Sequence, residues 1–376
     1  MILGHVTSLF GYVIPFLFVL AIVVFFHELG HFLVGRWCGV KVDTFSLGFG
    51  KELVGFNDRH GTRWRVAAIP LGGYVKFHGD ANAASAPQTA SSLGAMPEAE
   101  RAVTFAAQPV WERAAIVLAG PVANFILAIA IFSCSFYLSG RPMLLPRVET
   151  VIADSAAAKA GLQAGDLVVA INDEKIYSFA DMQKIVSASS EVPLSIEVER
   201  GTTDLKLVAT PERRDVKGPF GSSRVGVLGI TASNKPEDWK TEHFTVPGAI
   251  QAATGETWFV IDRTMSYIGG LVVGKETPAQ ISGPIRIAEV SGEVAKLGIG
   301  ALINLAAFLS ISIGFVNLLP IPLLDGGHLM YFGVEAARGR PMSERAQEFG
   351  FKIGLAIVSM LMIFATFNDL IRLVHG

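Results

Sequence analysis

The hydrophobic positions of this chain gather into four long runs, separated by segments of different texture. The first covers residues 9–35, the second Ala114–Leu138, the third Ala301–Leu324 and the fourth Gly350–Ile371. Each reaches the roughly 20 mostly apolar residues that a helix needs to cross a bilayer, so the pattern predicts four transmembrane helices. After the first run, "VDTFSLGFGKELVGFNDRHGTRWRVAAIPLGGYVKFHG" alternates apolar and polar positions around glycines. That period of two, interrupted at "NDRHG", predicts two strands joined by a tight turn. The next stretch, "DANAASAPQTASSLGAMPEAE", is rich in Ala, Ser and Pro without any period and reads as a mobile loop. Residues 141–300 are polar enough to stand outside the membrane. Within them, 146–213 runs strand, short helix, Gly-Asp turn, strand, helix and hairpin, enough for a small α+β domain. Further on, "GAIQAATGETWFVIDRTMSYIGGLVV" has apolar residues at helical spacing. It fits either a helix lying along the membrane surface or an ordinary core helix.

The chain therefore divides into a first transmembrane helix at 1–36, a hairpin region with its loop at 37–113 and a second helix at 114–140. The small domain follows at 146–213 and a connector at 214–300. A third transmembrane segment at 301–328 and a fourth helix at 350–371 complete it. Arg36, Lys41 and Arg113 flank the hairpin region, and Arg338, Arg340 and Arg345 crowd the link before the last run. Basic residues in short flanks mark the cytoplasmic side, so both links are expected there. Four crossings then put both termini and residues 141–300 on the opposite face. The N-terminal run lacks a basic leader and is too long for a signal peptide, so it is expected to be a retained span.

Composition agrees with a membrane protein: 376 residues, 51% hydrophobic and only 17% charged, with a mean hydropathy of +0.46. Soluble domains carry about 25% charged residues. A net charge of −2 leaves no basic surplus to neutralise phosphates, which argues against nucleic acid as a partner. Cys38 and Cys134 form no Cys-x-x-Cys pair, so neither a disulfide framework nor a thiolate metal site is expected.

Against this apolar background three residues are out of place: His27, Glu28 and His31, inside "VIPFLFVLAIVVFFHELGHFLVG". One ionisable group at the centre of a membrane helix costs roughly 2.5–3.5 kcal/mol on insertion scales, so a compensating role is required. Residues i and i+4 lie about 40° apart around a helix and one turn apart along it. Both imidazoles thus reach one tetrahedral metal, and Glu28 stands beside the first, close enough to take a proton from a water on that metal. This is the His-Glu-x-x-His arrangement of metalloproteases. Zinc needs a third protein ligand. Asp325, the only carboxylate of the third transmembrane segment at 301–328, lies near its cytoplasmic end, as HELGH does in the first. Pro320 and Pro322 are expected to break that helix, and Gly326 and Gly327 to form a turn that aims Asp325 inward. Irregular backbone at membrane depth is tolerated only where protein or a water cavity covers it.

HELGH at 27–31 and N-x-x-P-x-P-x-x-D-G at Asn317–Gly326 together resemble the two metal-site motifs of the site-2 protease family of intramembrane zinc metalloproteases. The bacterial regulator-of-sigma-E protease branch is the more similar one. "PLGGYVKF" at Pro70–Phe77 is similar to that family's membrane-associated β-hairpin, and "VWERAAIVLAGPVANFILA" at Val110–Ala128 to its second core helix. "GPIRIAEV" is similar to a segment preceding its third, and "AGLQAGDLVVAIND" at Ala160–Asp173 to a bacterial PDZ domain. The resemblance implies a polytopic α-helical membrane protein of four transmembrane helices, with the hairpin and one extracytoplasmic PDZ-like α+β domain. It implies one zinc per chain on His27, His31 and Asp325, with Glu28 as general base. Asn317 and Asn124 are expected to hold substrate or the oxyanion, and Gly72, Gly73 and Tyr74 to offer a strand edge to it. The branch can carry two tandem PDZ domains, but only one copy is convincing here, and "RVGVLGITAS" is too short a remnant for a second.

The activity implied is hydrolysis of a peptide bond within the transmembrane segment of a single-span protein in the bilayer. The branch suggests an anti-sigma factor already cut once, with leftover signal peptides as a second class. The expected location is a bacterial inner membrane. A metal-ion carrier would also place His and Asp in the membrane, but it has no need of Glu28. A silent scaffold built on the PDZ-like domain has no need of any of the four.

Overall fold

The computed structural model describes residues 2–80, 96–218, 221–233, 235–273, 278 and 282–375. The loop expected after the hairpin lies mostly outside the described residues. The chain folds as two units, one of Met1–Cys134, Ile250–Thr264 and Ser282–Gly376, the other of Ser135–Ala249 and Met265–Ile281.

The first unit is built on long apolar helices. Helix α1 (Ile2–Trp37) leads into β1 (Val42–Asn57) and β2 (Arg63–Phe77), then the single turn α2 (Glu98–Arg101) and helix α3 (Val110–Ser139). After the second unit come α7 (Pro284–Ala295), α8 (Ile299–Asn317), α9 (Asp325–Arg338) and α10 (Glu344–His375). Among the described residues, four stretches are long and apolar enough to cross a membrane: Phe10–Trp37, Val110–Ser139, Ile299–Asn317 and Arg345–Val374. They correspond to the four runs in the sequence, and large apolar side chains such as Ile126, Ile363 and Phe367 stand exposed along them, as a lipid-facing surface requires.

Strands β1 and β2 form the expected antiparallel hairpin, closed at Asp58–Thr62, where Asp58 N–H donates to the Thr62 carbonyl at 2.9 Å. Its register is broken repeatedly, and the first half of β1 has partners on both sides: Ser46 pairs with Tyr74 and also with Arg65. Among the described residues, the Gly73–Phe77 stretch of β2 has a strand on one side only. Its base packs on α1 through a core of Phe32, Val42, Phe45, Val75, Phe77 and Ile116.

The third apolar run departs from expectation. It is not one segment to residue 328: α8 ends at Asn317, residues 318–324 are non-helical, and a new helix, α9, begins at Asp325 itself. The prolines do break the helix as predicted. Gly326 and Gly327, however, make no turn. They lie in the first turn of α9, where a Cβ on either would run into the carbonyls of Leu318, Leu319 and Ile321. Their smallness lets α9 fold back against the broken segment. Leu323, at φ 121°, holds a backbone conformation that costs a non-glycine residue about 1–3 kcal/mol.

The second unit holds β3 (Arg141–Leu144), β4 (Val148–Val151), α4 (Ala156–Ala160), β5 (Leu167–Ile171), β6 (Glu174–Lys175), α5 (Phe179–Ala188), β7 (Leu194–Arg200) and β8 (Thr203–Ala209). Strands β9 (Glu212–Gly218), β10 (Gly221–Val227), β11 (Ile230–Ala232) and β12 (Trp239–Glu242) follow, and helix α6 (Val246–Val272) begins at its edge. A sheet of order β6-β5-β7-β8 carries the core of Val168, Ile171, Leu194, Ile196 and Val198. Ser178 and Asp181 close a reciprocal capping box on α5. The expected boundary at residue 213 is too early. Leu228 is buried in the same core, Ile230 packs on it, and β11 pairs with β4. The "RVGVLGITAS" segment thus completes this domain and is no remnant of another. Its alternation spans too few residues to reveal its partner in sequence.

Candidate metal centre

Helix α1 delivers His27 and His31 to one side, their rings 4.8 Å apart and nearly perpendicular, with the two Nε2 atoms 3.3 Å from each other. Asp325 Oδ2, at the N-terminus of α9, lies 3.2 Å from His27 Nε2 and 3.6 Å from His31 Nε2. One donor atom from each of these three residues falls within 4.8 Å of the others. At its position in the first turn, the Asp325 carboxylate meets the positive end of the α9 dipole.

The surroundings orient these donors. His31 Nδ1 lies 2.8 Å from the Ile116 carbonyl, an N–H donor's partner that leaves Nε2 free to ligate. On the far side of His27, Asn124 Nδ2 lies 3.3 Å from Nδ1, and Asn124 is completely buried. An Nδ1–H on His27 needs an acceptor, and Asn124 Oδ1, buried without a hydrogen bond, supplies it on rotation of the amide. Asn124 therefore sits behind His27, away from the cavity, which does not match the expected contact with substrate. Asn317, the last residue of α8, is on the ligand side instead, its Nδ2 3.5 Å from His27 Nε2.

Glu28 projects beside the cluster, and Val75 of β2 lines the same cavity. The edge of β2 thus lies directly on the helix that carries HELGH. A Cβ at Gly73 would approach Glu28 Cγ to 3.0 Å, so only glycine admits this contact. Gly72 has φ 125°, a conformation that glycine adopts without the cost other residues carry, and Tyr74 stacks on Phe49 with ring centroids 5.9 Å apart. A cavity of about 200 Å³ joins these groups, lined among others by His27, Glu28, Gly73, Tyr74, Asp325 and His328.

The donors suit a zinc ion: two neutral imidazole nitrogens and one carboxylate oxygen, with a position left for water or substrate. Asp325 Oδ2 is the telling atom, buried and without a hydrogen bond despite its polarity. Gly120 belongs to the same fit, since a Cβ there would fill the space taken by the His31 and His27 rings. Sequence reasoning missed Gly120, Val75 and His328. Gly120 and Asn124, spaced i,i+4 in an otherwise apolar helix, were the available signal for the first; nothing local marks the other two.

Comparison with known proteins agrees with this chemistry. The profile of Peptidase family M50 matches residues 15–361. The chain belongs to peptidase family M50. A relative in Agrobacterium fabrum, named as a zinc metalloprotease, is 47% identical over 97% of this chain and 97% of its own length. One in Mesorhizobium japonicum with the same kind of name is 47% identical over 96% and 98%. The metalloprotease MmpA of Caulobacter vibrioides is 40% identical over 96% and 95%. Among solved structures, the PDZ domain of HtrA3 bound to a phage-derived ligand covers 18% of this chain and 58% of its own, at 33% identity and a TM-score of 0.17, too low to carry an argument. As an M50 member the chain is a zinc metalloprotease and a multi-pass membrane protein, of a family that acts on membrane proteins in regulated intramembrane proteolysis.

Proposed function

We propose that His27, His31 and Asp325 hold the zinc and that Glu28 is the general base for hydrolysis of a peptide bond in a single-span membrane protein. The convergence of three donor atoms on one buried point, with Glu28 beside it, is the observation that supports this reading most. Zinc held there supplies Lewis acidity toward the scissile carbonyl and toward water. Glu28 takes the proton of the attacking water and returns it to the leaving amine. The Ile116 carbonyl and Asn124 keep each imidazole turned with Nε2 toward the metal, and Asn317 is placed to meet the oxyanion or the substrate backbone.

A helical substrate hides its carbonyls in hydrogen bonds and must unwind before it reacts. The free edge of Gly73–Phe77 receives the unwound segment by strand addition. Both short links face the cytoplasm of a bacterial inner membrane, and the PDZ-like domain within residues 141–300 is extracytoplasmic, a reading supported by the basic residues of the short flanks. There it acts as a gate that excludes substrates with intact extracytoplasmic domains, so that the substrate is one already shortened by a first cut. An anti-sigma factor is the leading class and leftover signal peptides the second, on the resemblance to the regulator-of-sigma-E branch.

The test is cleavage of a truncated single-span substrate by the wild type and by Glu28→Gln, with zinc quantified in both. Loss of a general base is expected to slow cleavage by about 10²–10⁴-fold while zinc stays at about one per chain. Equal cleavage by the two proteins overturns the mechanism.

A further inference from the structure

We infer that the ion pair between Arg113 and Glu335 is a positioning device for the metal site, fixing α9 against α3 so that Asp325 points at the two histidines. The inference rests on the reading of Asp325 as a metal ligand. Its starting point is that Asp325 opens α9 and follows seven non-helical residues, so α8 does not determine where it points. The position of its carboxylate follows from how α9 is held: Gly326 and Gly327 press its first turn on the carbonyls of Leu318, Leu319 and Ile321, and a second hold is at the other end. Glu335 lies ten residues on, about 15 Å along the axis.

There Arg113 Nη2 donates to Glu335 Oε1 at 2.6 Å and Nη1 to Oε2 at 3.2 Å, a two-pronged contact that fixes direction as well as distance. Both side chains are only 14% exposed. The same guanidinium lies 5.0 Å over the ring of Phe332, one turn earlier on α9, and its Nε donates to the Gln108 carbonyl at 3.0 Å. Arg113 thus grips α9 at two points on one face. Phe332 also meets Phe105, which stacks on Phe77 at 5.3 Å, and Phe77 ends the strand that carries the Gly73–Val75 edge. Three residues after Arg113 on α3, the Ile116 carbonyl accepts from His31. One short stretch of α3 therefore orients a ligand on α1 and the helix that presents the ligand from α9. A buried ion pair is a poor source of net stability compared with apolar packing. Its directional fork is what this place uses.

The experiment uses the full chain in detergent and reads zinc loss to a chelator and the visible spectrum of the cobalt(II)-loaded protein. Glu335→Gln is expected to release zinc about tenfold faster, as loss of supporting contacts around metal ligands does, and to shift the cobalt bands. Arg113→Lys, which keeps the charge but loses the fork, is expected to do the same more weakly with the fold intact. Glu348→Gln, in an exposed pair with Lys352 on α10, is expected to change neither readout. Asp325→Asn is expected to release zinc fastest; if it retains zinc like the wild type, the metal-site reading fails. If Asp325→Asn loses zinc while Glu335→Gln and Arg113→Lys match the wild type in both readouts, the positioning inference is overturned. Equal effects from Glu348→Gln overturn it as well.

Discussion

The two halves of the metal site are made in opposite ways. His27 and His31 sit on an unbroken helix, where a spacing of four residues alone places both rings on one side. Asp325 comes from a chain that stops being helical, crosses seven irregular residues with Leu323 at positive φ, and starts again. The first half is a local relation that any regular helix would reproduce. The second depends on whatever packs around the break, and its support comes from α3, α9 and α10. A site assembled this way should be sensitive to small intrusions at both halves, but through different observables.

The regular half is tested hardest at Gly120. An alanine methyl there enters the space of both imidazoles, so Gly120→Ala is expected to weaken zinc binding by about 10- to 100-fold. Gly300→Ala, with nothing within 4 Å of the new methyl, is the comparison and should bind zinc as the wild type does. Competition against a chelator of known affinity measures both. Unchanged zinc affinity in Gly120→Ala would mean that the rings are not held as the geometry indicates.

The irregular half is tested at Gly354 of α10, where an added Cβ would collide with the Pro322 carbonyl. The broken segment has to shift to admit it. Cleavage by Gly354→Ala is expected to fall roughly tenfold, below the ~10²-fold that a full 1 Å misplacement can cost. Zinc should be held more weakly too, because Asp325 follows the broken segment, but less weakly than in Gly120→Ala, which disturbs both histidines. Greater loss of zinc than in Gly120→Ala, without any loss of residual turnover per zinc, would reverse the assignment of the two halves.

This contrast explains what could be read in the sequence. The four spans were legible because each is set by a run of apolar residues against one solvent. HELGH was legible because its geometry is helical and local. That Asp325 belongs with it followed from motif and depth, yet the role of Gly326 and Gly327 did not: their small size serves contact with carbonyls six to eight residues earlier. Asn124 entered only through the family resemblance, and which side of His27 it occupies is a matter of how α1 and α3 cross. The same limit hid the tail of the small domain, where Leu228 joins a core formed some twenty to seventy residues upstream.

Two buried aspartates outside the spans carry the same distinction between local and tertiary support into pH dependence. Asp80, just after β2, accepts the Phe77 N–H at 3.1 Å, but burial outweighs that bond and the Lys76 charge and pushes its carboxyl up to about 7. Asp166 in the small domain is also opposed by burial, yet Arg200 donates to it twice at 2.8 Å, and Gln163 N–H at 2.9 Å, which hold it below the usual carboxylate range. The signs are opposite. A raised folded value means that Asp80 contributes most below its unfolded value near 4, and that the contribution is lost as pH rises through 7. A lowered one means that Asp166 contributes above about 4 and loses that contribution as pH falls through its folded value. Hydrogen exchange corrected for intrinsic rates, followed between pH 5 and 8, should therefore show protection around Phe77 declining in the wild type and level in Asp80→Asn. Protection around Gln163 should stay level across the same range in both proteins. Identical pH profiles at Phe77 in wild type and Asp80→Asn would show that the backbone bond and nearby charge already offset the burial of Asp80.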